Sequence, residues 1–290
     1  LYWFKMKLKI YNSKSKSKEN FNPINKNEIR MYVCGPTVYD RAHIGNARPV
    51  IVFDLLYRLL RLIYNDKSIT YVRNITDVDD KIITRSINEN KPFNEITSET
   101  IKWFNEDNDY LNVLKPTHEP KATEYISQMI SMIDKLVSKN NAYVLDDGEV
   151  LFSVNSFDNY GSLSRQNLNS MNVGNRVEID KRKKNPLDFV LWKPSDKNNI
   201  GWNSPWGYGR PGWHIECSAM CKELLGGSFD IHGGGIDLLF PHHENELAQS
   251  ICANDTKQLA NYWVHNGFVN IEGQKMSKSL GNYLTVEDLR

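Results

Sequence analysis

Cysteine is scarce, 4 residues in 290, which excludes a small disulfide-stapled scaffold and leaves thiols free for metal or core in a reducing cytoplasm. Long apolar runs are missing as well. Leu1, Tyr2, Trp3 and Phe4 turn polar at once, too short a stretch for a signal peptide or a membrane span. An excess of one charge sign is also lacking: the formal net charge is +1, so no overall field draws the chain to nucleic acid, and RNA contact has to come from local patches. The run Lys181, Arg182, Lys183 and Lys184 is such a patch, although a solvated loop fits it equally. What is present, 40% hydrophobic residues over this length, suffices for a sizeable core in one large domain or two. Residues before Met6 read as an upstream start, and the Ser/Lys-rich run 13–20 makes 1–20 a flexible lead-in.

His43-Ile44-Gly45-Asn46 follows a strand-like run at 31–34 and a turn containing Pro36. It precedes a helical pattern of Val50, Phe53, Leu56, Tyr57 and Leu60. A helix start binds phosphate because its free amides and dipole favour an anion, and a glycine lets the ligand approach the backbone. Far along the chain, Lys275-Met276-Ser277-Lys278-Ser279 supplies mobile ammonium groups that can hydrogen-bond phosphate oxygens as charge grows in a transition state. Either motif alone also fits a commonplace tetrapeptide or a solvated loop. Together they suit opposite sides of one nucleoside triphosphate, so the pattern points to activation of a substrate with ATP.

A second strand-like run at 69–75 and a helix after Asp77, Asp79 and Asp80 complete a β-α-β pattern, the start of a parallel nucleotide-binding sheet. Ile126, Met129, Ile130, Ile133, Leu136 and Val137 predict a core-facing helix over 124–139. Asp146-Asp147-Gly148 between 142–145 and 149–153 predicts a hairpin. Gly233, Gly234 and Gly235 end a strand at 229–232 and leave room for a ligand, with Asp237 placed to accept from a ribose hydroxyl. His242 and Glu246 stand one helical turn apart after Pro241, a residue suited to open a helix, and so can close a metal site. Spacing does not choose their partners: Cys217 and Cys221 are also a turn apart, and His243 and Glu244 are further candidates. Near the end, Thr285 and Asp288 form a capping box that starts a helix just before Arg290. A fragment of a longer protein is the simplest account of that ending.

The paired motifs resemble the HIGH and KMSKS signatures of class I aminoacyl-tRNA synthetases. The lysine motif matches at every position. The first motif ends in Asn46 where the signature has a second histidine, and Asn46 keeps an amide donor without the charge. The runs 31–39 (MYVCGPTVY), 212–218 (GWHIECS), 232–237 (HGGGID) and 240–246 (FPHHENE) are similar to cysteinyl-tRNA synthetases in particular, and the resemblance extends from residue 31 to the end.

That resemblance implies an α/β fold: a Rossmann-like parallel sheet with an inserted connective-peptide region. Residues 21–90 would be the first catalytic half, 91–203 the insertion facing the acceptor end of tRNA, and 204–290 the second half with the lysine loop. It implies that L-cysteine reacts with ATP to give cysteinyl-adenylate and pyrophosphate and then passes to tRNA(Cys). His43, Lys275 and Lys278 would be catalytic. ATP with Mg²⁺ would lie on His43, Asn46, Gly234, Asp237, Lys275 and Lys278, and cysteine on Gly35, Thr76, Trp213 and His232. One Zn²⁺ per chain would sit on Cys34, Cys217, His242 and Glu246, where a thiolate binds better than the hydroxyl of serine, so that selection needs no proofreading. Cys221 and Cys252 would remain as core thiols. The resemblance also implies a cytoplasmic monomer without membrane contact. Alternatives are a ligase that passes the same adenylate to an amino sugar, as in mycothiol synthesis, and a noncatalytic zinc- or nucleotide-binding module.

Overall fold

The computed structural model describes residues 7–64, 68–165 and 180–290. The apolar opening at residues 1–4 and part of the expected insertion, 166–179, lie outside the described residues. In chain order the elements are β1 (Lys9–Asn12), β2 (Ser17–Asn20), β3 (Ile29–Val33), α1 (Ile44–Tyr64), β4 (Ile69–Arg73), α2 (Asp80–Glu89), α3 (Phe93–Tyr110), α4 (Ile126–Ser138), β5 (Ala142–Val144), β6 (Val150–Phe152), β7 (Phe189–Pro194), β8 (Gly209–Pro211), α5 (Trp213–Leu225), β9 (Phe229–Gly235), α6 (Glu244–Asn254), β10 (Ala260–Asn266), β11 (Asn270–Ile271) and β12 (Gln274–Lys275). They fall into two compact units that alternate along the chain. The first holds Leu1–Lys121, Phe229–Asp237 and Ala260–Arg290; the second holds Ala122–Ser228 and Leu238–Leu259. These boundaries differ from the expected 91 and 203, in part because α3 packs against α2 and so belongs with the sheet.

The first unit is a four-stranded parallel sheet in the order β10-β9-β3-β4. Its strands are buried at most positions on both faces, polar ones such as Asp230 and His232 included, as strands covered on both faces are. Ile29, Met31, Val33, Ile69, Tyr71 and Ile231 pack with Phe53, Tyr57 and Leu60 of α1, the helix whose spacing is visible in the sequence. The expected lead-in is instead largely structured. β1 and β2 form an antiparallel hairpin, and Asn12 ties it to β10 by donating to the Asn261 carbonyl at 3.0 Å and accepting from the Trp263 amide at 3.0 Å. Ile10 and Asn12 alternate inward while Lys9, Ser17 and Lys18 stay outside. A polar composition therefore hides a strand that needs only one buried face.

The second unit combines the antiparallel sheet β5-β6-β7-β8 with α4, α5 and α6. Met129, Ile133 and Leu136 of α4 are buried as the periodicity requires. The turn between β5 and β6 has Gly148 at φ +86°, a conformation that favours glycine. Helix α5 is buried on most of its surface, including Glu216 and Cys217.

Candidate active site

Nucleotide-type ligands bind at the carboxyl ends of parallel strands, at the point where strand order reverses. Here β4 lies on one side of β3 and β10 lies on the far side of β9, so that point falls between β3 and β9. Cys34, Gly35, His232 and Gly234 sit at or next to it. The Cys34 amide donates to the Gly233 carbonyl at 3.0 Å, and ligand atoms of Cys34 and His232 lie within 4.8 Å. The His232 ring is fully buried and stacks on Trp263 at 4.7 Å between ring centres.

Gly35 has a local reason to be small: a β-carbon there would lie 1.7 Å from the Asn74 carbonyl oxygen. Its amide donates to the Asn74 side chain at 2.9 Å, and Asn74 donates on to Thr76 Oγ1 at 3.2 Å, so Gly35 and Thr76 belong to one network. The glycine run differs from expectation. A β-carbon on Gly233 would meet the Phe53 ring at 2.3 Å, and one on Gly235 would meet Asp237 Oδ1 at 2.5 Å. Both positions are occupied by the protein's own side chains.

The two signature motifs meet within the first unit. Helix α1 begins at Ile44, and the backbone of His43 and Ile44 pairs with that of Leu284 and Thr285. A β-carbon on Gly45 would lie 3.8 Å from Met276 Sδ, and Met276 is itself buried. His43 and Asn46 are bonded reciprocally: the His43 amide donates to Asn46 Oδ1 at 3.3 Å and the Asn46 amide donates to His43 Nδ1 at 3.2 Å. Asn46 therefore acts as a local cap, a use of its amide that the motif alone does not reveal. With Nδ1 accepting, the ring hydrogen of neutral His43 sits on Nε2. Burial, followed by the Lys278 and Lys275 charges, holds His43 below its ordinary pKa against an opposing backbone hydrogen bond. Lys278 Nζ lies 2.5 Å from Asp40 Oδ2, whereas Lys275 Nζ stands 3.7 Å from Asp237. The lysine loop is oriented by the β11–β12 hairpin, whose turn has Glu272 and Gly273 at positive φ.

Within the second unit, Cys217, His242 and Glu246 are buried and present ligand atoms within 4.8 Å of one another. His242 Nε2 lies 2.9 Å from Glu246 Oε1. The local chain path departs from the expected single helix. His242 lies within the irregular turn Leu239–His243, in which Phe240 is extended, and α6 begins only at Glu244. His243 Nε2 lies 3.9 Å from the same Glu246 oxygen, so it stays a possible fourth donor from this unit. Glu244 is not a spare ligand: its carboxylate accepts from the amides of Gly161 at 2.9 Å, Leu163 at 3.4 Å and Ser164 at 2.8 Å.

His214, one turn before Cys217 on α5, places Nδ1 2.9 Å from Nδ1 of His242. Sequence reasoning passed over this residue, although its spacing of three from Cys217 puts both on one helix face. Burial, then His242, pushes the His214 pKa well below its ordinary value. Burial also depresses His242, but Glu246 and Cys217 outweigh it and push the ring up to about 10. A soft thiol, an imidazole and a carboxylate, with the second imidazole nitrogen engaged by a neighbour, fit the donor chemistry of zinc. Trp213 is 41% exposed, and its ring centre lies 4.3 Å from that of His242. Cys221 is buried with its thiol held well above the ordinary value by burial and then by Glu246 and Cys217; Cys252 is only partly buried. Of the Lys181 to Lys184 run, Arg182 pairs with Asp180, Asp147 and Glu149, so its charge is met by nearby carboxylates.

A parallel sheet with a His-Ile-Gly-Asn helix start facing a Lys-Met-Ser-Lys-Ser loop is the catalytic-domain architecture of class I aminoacyl-tRNA synthetases. Mycobacterium tuberculosis methionyl-tRNA synthetase bound by methionyl-adenylate shares the fold, with a TM-score of 0.67 at 13% identity over 90% of this chain and 61% of that one. Residues 20–290 match the model of the tRNA synthetases class I (C) catalytic domain, and the chain belongs to that family. It is 61% identical over 283 residues to a cysteine–tRNA ligase of Ruegeria sp. (strain TM1040), covering 97% of this chain and 62% of the relative. To the cysteine–tRNA ligase of Rhodospirillum rubrum it is 58% identical over 284 residues, covering 98% of this chain and 61% of the relative. The chain thus spans about three-fifths of the length of the curated relatives it matches. Among the described residues, no helix is long and apolar enough to cross a membrane.

Proposed function

We propose that the chain activates L-cysteine with ATP and passes it to tRNA(Cys). The observation that carries this reading is the convergence of His43, Lys275 and Lys278 in one unit, at the carboxyl edge of a parallel sheet. In the reaction, a carboxylate oxygen of cysteine attacks the α-phosphorus of ATP, the bond to the bridging oxygen of the β-phosphate breaks, and Mg²⁺-bound pyrophosphate leaves. The nucleophile is already charged, so alignment and charge stabilisation suffice. Neutral His43 donates through Nε2–H to a phosphate oxygen, Asn46 holds that tautomer, and the two lysines meet the charge that develops on the leaving phosphates. Gly234 and Asp237 serve the adenosine end. The relatives' shared name, cysteine–tRNA ligase, supports the choice of amino acid and acceptor.

Cys217, His242 and Glu246 would hold one Zn²⁺, with Cys34 as the fourth ligand, and His214 orients His242 from behind. Bound zinc supplies a soft Lewis acid that prefers a substrate thiolate to a hydroxyl. Gly35, Thr76, Trp213 and His232 would line the cysteine pocket. Cysteine-dependent exchange of pyrophosphate into ATP tests the reading, with elemental analysis for zinc. Exchange with cysteine and little with serine is the expected result; none with any amino acid rejects it. Lys278→Ala should reduce exchange far more than it weakens cysteine binding measured by calorimetry. Transfer to an amino sugar instead of tRNA would reassign the acceptor.

A further inference from the structure

The two signature lysines are held differently. Lys275 is half exposed and stands 3.7 Å from its nearest carboxylate. Lys278 is 20% exposed, and its ammonium donates at 2.5 Å to Asp40 Oδ2 and at 2.5 Å to the Arg41 carbonyl. The Tyr39 ring lies 5.2 Å from the same ammonium. Asp40 is fixed for this role, because its other oxygen accepts the Arg41 amide at 2.7 Å. An ammonium has three donors, and two are engaged here. Only one donor is left for a phosphate, and turning more of the ammonium toward nucleotide requires Asp40 or the Arg41 carbonyl to let go.

We propose that Asp40 is a positioning residue that holds Lys278 away from nucleotide in the free protein, so that ATP binds by displacing a carboxylate from this lysine. The inference rests on the reading of Lys278 as a phosphate ligand. The held fraction lowers apparent affinity in proportion to its population, so releasing the lysine tightens binding. Asp40 belongs to the tripeptide just before His43, and its role follows from the chain's own fold.

The test is calorimetric titration of the protein with ATP and, separately, with inorganic tripolyphosphate. Asp40→Asn keeps the acceptor for the Arg41 amide and removes the charge; Asp40→Glu keeps the charge. We expect Asp40→Asn to bind both ligands about three- to tenfold more tightly, with Asp40→Glu near the unaltered protein. In pyrophosphate exchange, KM for ATP should fall while KM for cysteine stays constant. In a Lys278→Met background, Asp40→Asn should have no further effect. An equal gain in both backgrounds would mean simple removal of negative charge near the phosphates and would overturn the inference, as would weaker ATP binding by Asp40→Asn. If the unaltered protein exchanges pyrophosphate and Asp40→Asn changes nothing, only the role of Asp40 falls. If the unaltered protein binds no ATP, the phosphate role of Lys278 falls with it.

Discussion

Gly233 separates two explanations for a glycine-rich strand end. Its place in a ligand-site motif suggests room for nucleotide, yet the space over it is filled by Phe53, a fully buried ring. Gly233→Ala should therefore destabilise the protein by about 1–3 kcal/mol through overpacking, read as a lower urea midpoint. An unchanged midpoint would show that Phe53 can yield and that the glycine serves something else. His214 makes the complementary case. Replacing it by Leu leaves His242 Nδ1 without its partner, and zinc affinity measured by chelator competition should fall about 10- to 100-fold, with partial recovery in His214→Asn. Equal affinity in all three proteins would exclude a supporting role. At this scale the legible residues are those whose chemistry is unusual where they stand, such as His43 at a helix start and lysines in a Ser-rich turn. Asp40 and His214 escape because their meaning depends on a partner 238 and 28 positions away.

Elements are read most reliably where apolar residues recur at a helical period or crowd along a strand and a turn residue marks the end. The helix α1, the hairpin β5–β6 and the β3-α1-β4 crossover satisfy both conditions and match their expected places. The capping box also forms, with Asp288 Oδ2 accepting from the Thr285 amide at 2.8 Å and Thr285 Oγ1 accepting from the Asp288 amide at 3.1 Å; a single short turn, Glu287–Leu289, follows it. The hairpin β1–β2 is missed because alternate residues of β1 and nearly all of β2 face water, and the start of α6 is misjudged because the preceding turn is irregular. That start is fixed by Glu244, whose buried carboxylate receives three backbone amides from residues 161–164. Glu244→Ala strands those donors and should lower stability by about 3 kcal/mol or more. Glu244→Gln, which keeps one oxygen in place, should lose less. Equal losses in the two variants would show that the side chain's volume, rather than its hydrogen bonds, fixes the helix start.

For the molecule as a whole, the boundaries of the two units cannot be read from composition, because the first unit gathers Leu1–Lys121 with segments more than a hundred residues further on, and the second is interrupted only by Phe229–Asp237. Stability against acid is a property of this larger scale, since a buried group is set by everything packed around it. His265, at the end of β10, shares a hydrogen bond of 2.8 Å with Ser13 Oγ, and burial first, then His232, pushes its pKa from 6.5 down to about 3. The native protein thus refuses a proton that the unfolded chain accepts below about pH 6.5. The unfolded state then carries more bound protons, so the contribution of His265 is fully present above pH 6.5 and is lost as pH falls from there toward 3. Between pH 7.5 and 5.5 this single group should remove about 1.4 kcal/mol. His265→Gln keeps a polar partner for Ser13 without the titration, and its unfolding free energy from urea melts should decline less over that interval by about the same amount. If the two proteins lose stability in parallel, His265 takes up its proton while folded, and the end of β10 is far better hydrated than its packing implies.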